Sequence, residues 1–162
     1  MKNEQLVQRL ISCVGLFAGF EKSEAAEFLS CCVVREYPPG TRLFNEGDPG
    51  RELFILVSGH VEVSRAGQRL ARFGPGDCFG ELALLDFGPR SAAVVSEDRV
   101  RALVFDRGSI YRVPELETKL YRNLAILLAR RLRDTGARLA ELAEHEAPPE
   151  RLDELAAKTQ GM

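Results

Sequence analysis

Within Phe79-Gly-Glu-Leu-Ala-Leu-Leu-Asp-Phe-Gly-Pro-Arg-Ser-Ala-Ala-Val94 a single cation, Arg90, stands nine residues after a carboxylate, Glu81. Residues of these types at this spacing can seat one small monoanion beside a hydroxyl group. Gly80 has no side chain in the way and lets the backbone approach a ligand closely. Glu81 to Leu85 is long enough for one helical turn, whose N-terminus presents free N–H groups and a positive dipole end. Pro89 fixes the backbone just before Arg90, whose planar fork of donors suits two phosphate oxygens. The Ser91 hydroxyl and the Ala92 amide add donors. Glu81, an acceptor only when ionised, calls for a hydroxyl donor such as a ribose 2′-OH.

Charge narrows the choice of phosphate. A triphosphate needs a lysine and a metal-binding hydroxyl in a G-x-x-x-x-G-K-[ST] loop, and the sequence contains no such run. One arginine matches the one charge of a cyclic phosphodiester. Taken singly, Glu81 reads as a turn cap and Arg90 as a surface arginine; together they read as a site. No nucleophile–base pair, metal constellation or phosphate loop is spaced for catalysis, so a non-enzyme is expected. His60, at the start of an alternating strand, reads as an exposed strand histidine, because no carboxylate or nucleophile is motif-spaced to it.

The F-G-E-L-A-L-L and P-R-S-A runs resemble the phosphate-binding cassette of cyclic nucleotide-binding domains. These are the modules of bacterial catabolite activators, of cyclic-AMP-dependent protein kinase regulatory subunits and of cyclic-nucleotide-gated channels. By that resemblance Arg90 binds the cyclic phosphate and Glu81 the ribose 2′-OH. Gly80, Leu82, Ala83, Ser91 and Ala92 complete the candidate ligand set. The Glu46 to Gly59 run, E-G-D-P-G-x-x-L-F-I-L-V-x-G, resembles a second signature of the family and reads as structural: glycines for turns, aliphatics for core.

The 162-residue chain suits one domain with a core, or a domain plus an appended helix. With 45% apolar residues it reads as folded, and a net charge of −2 gives no sign of a nucleic-acid partner. Cys13, Cys31, Cys32 and Cys78 form no C-x-x-C pair and are expected to be reduced, buried thiols in a cytoplasmic protein. No metal site is expected. No signal peptide is recognisable, and no apolar run approaches the roughly 18 residues of a membrane span.

Leu6, Val7, Leu10, Ile11 and Val14 recur at helical spacing, and Ser23 reads as the N-cap of a helix over 24–30. From Cys32 onward, short strands follow at intervals of about 8–12 residues between Gly- and Pro-rich turns, the pattern of a barrel or jelly roll. Asp106 reads as the cap of a short helix over 107–112, and a long helix is expected over 115–145. The resulting fold class is α+β, mainly β: a cyclic nucleotide-binding-type β-barrel (double-stranded β-helix or jelly roll). The expected organisation is N-terminal helices over 1–30, the barrel over 31–106 with its cassette at 79–92, C-terminal helices over 107–146, and a flexible tail over 147–162.

On the long helix, Tyr121, Ala125, Leu128, Leu132, Thr135, Leu139 and Leu142 alternate in steps of four and three, the seam of a helix packed along another. A homodimer through this helix is expected. A second row, Leu120, Leu124 and Leu127, is placed to face the barrel. By resemblance Thr135 is a candidate contact to the base, and the helix acts as a lid; Gly136 costs about 1 kcal/mol of helix stability. A weak helix over 150–158 is expected beyond Pro148-Pro149. Only 17 residues follow His145, too few for a helix-turn-helix, so no DNA partner is expected. The expected function is a cyclic-nucleotide sensor; Ser91 after Arg90 resembles the cyclic-AMP-binding bacterial activators, where some cyclic-GMP-binding relatives have a threonine, and that resemblance implies cyclic AMP in preference to cyclic GMP. The alternative is a ligand-independent interaction domain on the same fold. The effector is open.

Overall fold

The computed structural model of the protein describes residues 2–146. Helices α1 (Lys2–Cys13) and α2 (Lys22–Ser30) come first, followed by strands β1 (Cys32–Tyr37), β2 (Arg42–Phe44), β3 (Glu52–Ser58), β4 (Val61–Arg65), β5 (Gln68–Phe73) and β6 (Cys78–Phe79). Helix α3 (Leu82–Leu85), strands β7 (Ala93–Ser96) and β8 (Val100–Asp106), and the long α4 (Pro114–Glu146) complete the order. The chain divides into two compact units, with the boundary between Ala125 and Ile126 inside α4.

The strands form two four-stranded sheets, ordered β1-β8-β3-β6 and β2-β7-β4-β5, with antiparallel pairing throughout. The jelly-roll expectation holds in this form. Between the sheets lies a core of Phe54, Leu56, Val61, Phe79, Val94, Val100, Ala102 and Val104. The continuous apolar run Leu53-Phe-Ile-Leu56 has a simple cause. Side chains alternate along a strand, so Phe54 and Leu56 face this core while Leu53 and Ile55 point the other way. On that second face Phe28 of α2 stacks on Phe105, the register partner of Leu53, at 4.5 Å. Strand β3 is therefore covered on both sides, and all four residues are buried.

Helix α2 begins two residues before the sequence suggests. Its cap is Glu21, which closes a capping box with Glu24: the Glu21 N–H donates to the Glu24 carboxylate at 2.7 Å. Glu24 is fixed in turn by Lys119 Nζ of α4 at 2.7 Å, a partner that no local pattern reveals. The buried Asn123 side chain donates to the carbonyls of Leu16 and Ala18 at 2.7 and 2.9 Å. These contacts tie the N-terminal helices to the first turns of α4, where Leu116, Leu120 and Leu124 are fully buried.

Two expectations need correction. Of the four free cysteines only Cys78 is buried; Cys13 is exposed, and Cys31 and Cys32 lie half-buried where α2 runs into the edge strand β1. Burial of its sulfur, with Cys31 adjacent, pushes the Cys32 thiol up to about 12. His60 is not a simple exposed histidine. Its Nδ1 lies 2.8 Å from the Asp98 carboxylate, which also accepts the His60 N–H at 2.7 Å. The two residues are far apart in sequence and are brought together by the turns flanking β4 and β8.

From Ile126 onward, α4 carries Leu132, Leu139 and Leu142 at 73%, 61% and 61% exposure. Among the described residues no helix is long and apolar enough to cross a membrane. The expected helix over 150–158 and the tail lie outside the described residues.

Candidate functional site

Gly80 follows β6 with φ +75°, the left-handed region that favours glycine. A methyl group there would sit 2.7 Å from both Arg90 Nη1 and the Glu52 carbonyl oxygen. Glu81 then occupies the N-cap position of α3, but its side chain makes no capping hydrogen bond. The bland role of a turn cap is thus not the one it fills. It is only 6% exposed, as is Arg90. Leu82 is half-buried, Ala83 lies within α3, Ala92 is buried and Ser91 is exposed.

Arg90 is held by the other glycine-rich run. Its N–H donates to the Asp48 carbonyl at 2.8 Å, and its carbonyl accepts from the Gly47 N–H at 2.8 Å. The side chain turns inward, and Nη1 donates to the carbonyls of Glu52 at 2.9 Å and Gly80 at 3.3 Å. Its Cζ lies over the rings of Phe44 and Phe54, at 4.2 and 5.6 Å from their centroids. A Cβ at Gly50 would collide with Arg90 Nε, so that position requires glycine for the arginine to lie where it does. Burial lowers the Arg90 pKa, and the charges of Glu52, Asp48 and Glu81 oppose that shift. A guanidinium stays ionised under such a shift.

Nε of Arg90 is buried and has no hydrogen-bond partner. A buried donor without an acceptor costs about 1–3 kcal/mol, so this atom has a use for an anionic oxygen. With Glu81 buried close enough to act on the Arg90 charge, the donor set fits a monoanion flanked by a hydroxyl. The structure brings Gly80, Glu81 and Arg90 together. Thr135 lies on the second unit, exposed, with Oγ1 donating to the Arg131 carbonyl at 2.8 Å. Among the described residues no group of His, Cys, Asp or Glu is arranged to hold a metal ion.

Sequence reasoning treats Gly50, Glu52 and Phe54 as scaffold. They position the cation, and the only sequence signal for that is the density of glycine before β3.

The family model of the cyclic nucleotide-binding domain matches residues 34–115. The chain belongs to the cyclic nucleotide-binding domain family. It is 34% identical over 151 residues to the CRP-like cAMP-activated global transcriptional regulator of Mycobacterium tuberculosis, with 88% of this chain and 66% of that protein covered. It is 39% identical over 137 residues to the cyclic AMP receptor protein of Thermus thermophilus, covering 82% of this chain and 63% of that one. The chain thus spans about two thirds of the length of these relatives. A solved cyclic nucleotide-binding domain from Methylobacillus flagellatus superposes with a TM-score of 0.76 at 27% identity, covering 85% of this chain and 84% of that one.

Proposed function

We propose that this cyclic nucleotide-binding domain is a sensor rather than an enzyme, taking cyclic AMP in preference to cyclic GMP. The observation that carries the reading is the buried Arg90 whose Nε lacks an acceptor, with buried Glu81 beside it. Arg90 binds the cyclic phosphate and Glu81 the ribose 2′-OH. Backbone N–H groups of Gly80, Leu82, Ala83 and Ala92 and the Ser91 hydroxyl complete the phosphate seat, and Thr135 reaches the base. The names of the two regulators matched at 34% and 39% identity support the choice of cyclic AMP.

Binding can drive a conformational change only if the ligand prefers one arrangement. In this reading the ligand selects one position of the C-terminal half of α4, which acts as lid and dimer seam.

Calorimetry with cyclic AMP and cyclic GMP tests the reading. Saturable binding with cyclic AMP the tighter ligand is expected. A tenfold tighter cyclic GMP isotherm reverses the base preference, and no heat with either nucleotide rejects the sensor.

One observation favours a second reading. Arg90 Nη1 already satisfies two backbone carbonyls, as a structural arginine in a ligand-independent module would. In that case neither nucleotide raises the melting temperature at millimolar concentration.

A further inference from the structure

Side chains of β3 alternate, so Glu52 and Phe54 share the face that Leu56 turns to the core between the sheets. The Arg90 guanidinium lies over the Phe54 ring on that same face. Register puts Arg35 of β1 there too. It stands opposite Ala102, which stands opposite Leu56 on its other side, and residues directly opposite in antiparallel strands point to one side of the sheet. Arg35, Glu52 and Arg90, from three separate parts of the chain, therefore share one surface.

Glu52 deals with two cations in different ways. Its carboxylate accepts from both Nη atoms of Arg35, at 2.7 and 3.2 Å, the two-pronged geometry that arginine and carboxylate favour. Its main-chain carbonyl accepts from Arg90 Nη1 at 2.9 Å. The Glu52 charge also reaches Arg90: it opposes, ahead of those of Asp48 and Glu81, the lowering that burial imposes on the Arg90 pKa. Yet the carboxylate bonds Arg35, and Arg90 Nε is left without an acceptor. Without Arg35, an ionised carboxylate would stand on the same face as a buried cation with a donor to spare.

A carboxylate and a cyclic phosphodiester are both monoanions, and they compete for one guanidinium. We infer that Arg35 is a positioning residue for nucleotide binding: it holds the Glu52 carboxylate toward the edge strand, keeps this internal anion off Arg90, and so leaves Nε for the phosphate. This role rests on the reading of Arg90 as the phosphate ligand and adds to it a residue outside both signature runs. The Arg35 and Glu52 side chains are 43% and 29% exposed, so water screens the pair and its part in holding the fold together is small. Its effect lies in where it keeps the carboxylate.

Calorimetry with cyclic AMP, together with the Arg90 Nε–H resonance of the isotopically labelled chain, tests the role. Arg35→Gln should weaken cyclic AMP binding about tenfold. Adding Glu52→Gln keeps the main-chain carbonyl and removes the competing charge, and should restore affinity to within about twofold of wild type. In the nucleotide-free chain the Arg90 Nε–H resonance should move in Arg35→Gln and return in the double variant, a reversal that general loosening of β1 does not produce. Wild-type affinity in Arg35→Gln, a double variant as weak as the single one, or an unmoved Nε–H resonance overturns the role. If the wild-type chain itself binds no cyclic nucleotide, the sensor reading falls, and the resonance alone decides whether Arg35 keeps Glu52 off Arg90.

Discussion

Arg90 Nη1 donates to the main-chain carbonyl of Glu52 at 2.9 Å, a bond between residues that belong to the two separate signature runs of this sequence. The carbonyl is a product of sheet pairing. Strand β3 starts at Glu52 and is locked by β8 on one side, with Glu52 opposite Asp106, and by β6 on the other, with Phe54 opposite Phe79. The cation is thus positioned by the fold before any ligand contact is considered. The side chain of Glu52 is meanwhile held by Arg35 at 2.7 Å.

Gly50→Ala separates positioning from folding. The three atoms nearest the added methyl all belong to the Arg90 side chain, so the guanidinium moves and the sheet need not. Nucleotide affinity is expected to fall about ten- to hundredfold, the same loss expected for Arg90→Ala, which removes a charge-assisted bond worth about 1.5–3 kcal/mol. Calorimetry alongside thermal denaturation reads the two effects separately. A large drop in melting temperature with unchanged affinity contradicts the positioning role.

The Glu81 assignment makes a ligand-specific prediction. Wild type should bind 2′-deoxy cyclic AMP about tenfold more weakly than cyclic AMP. In Glu81→Ala that gap should close, because the acceptor for the hydroxyl is gone. A gap of unchanged size in the variant assigns the 2′-OH to another residue. This double comparison cancels general damage to the fold, which would weaken both ligands alike.

The parts of the molecule legible in the sequence are those with local signals. Turn residues and strand-length apolar runs mark the sheets, Asp106 marks its 3₁₀ turn, and the stretch from Glu81 to Arg90 marks two charges that the fold buries together. What stayed hidden depends on register. That Phe44 and Phe54 hold the Arg90 guanidinium follows from two sheets closing face to face. The Asp98 partner of His60 and the Lys119 partner of Glu24 are equally non-local. The start of α2 differs from the sequence expectation in the same way: Ser23 is the better cap by residue type, but Glu21 and Glu24 form the box, and Lys119 of α4 anchors it.

Acid should loosen the junction between α4 and the N-terminal helices. The hydrogen bond from Lys119, then the one from the Glu21 N–H, holds the Glu24 pKa below its ordinary value of 4.5. A depressed carboxylate contributes stability that is present above the unfolded value and is lost as pH falls through the folded one. Lys119→Met is therefore expected to melt below wild type near neutral pH, and the difference should vanish once Glu24 is protonated in both. Asn123→Ala gives the contrast. It removes the side-chain donor from the carbonyls of Leu16, which is buried, and Ala18, at a cost of about 1–3 kcal/mol, and no titratable group is involved. Its loss of melting temperature should persist at every pH. A Lys119→Met deficit that stays constant into acid shows that the ion pair is not the source.

The second unit supplies the last prediction. From Ile126 onward α4 leaves Leu132 and Leu139 exposed at 73% and 61%, seven residues apart on one helical stripe. Two heptad-spaced leucines in water are costly for a helix on its own, and a second helix along the same stripe removes them from solvent. Light scattering should therefore give a dimer for the wild-type chain. Leu132→Glu together with Leu139→Glu places like charges across the seam and should shift the chain to monomer, with little change in far-ultraviolet circular dichroism. Because the double variant leaves Glu81 and Arg90 untouched, nucleotide titration of the monomer also tests Thr135. If Thr135 meets the base only across a dimer, affinity falls with dissociation. If affinity is unchanged, the base contact is made within one chain or not at all.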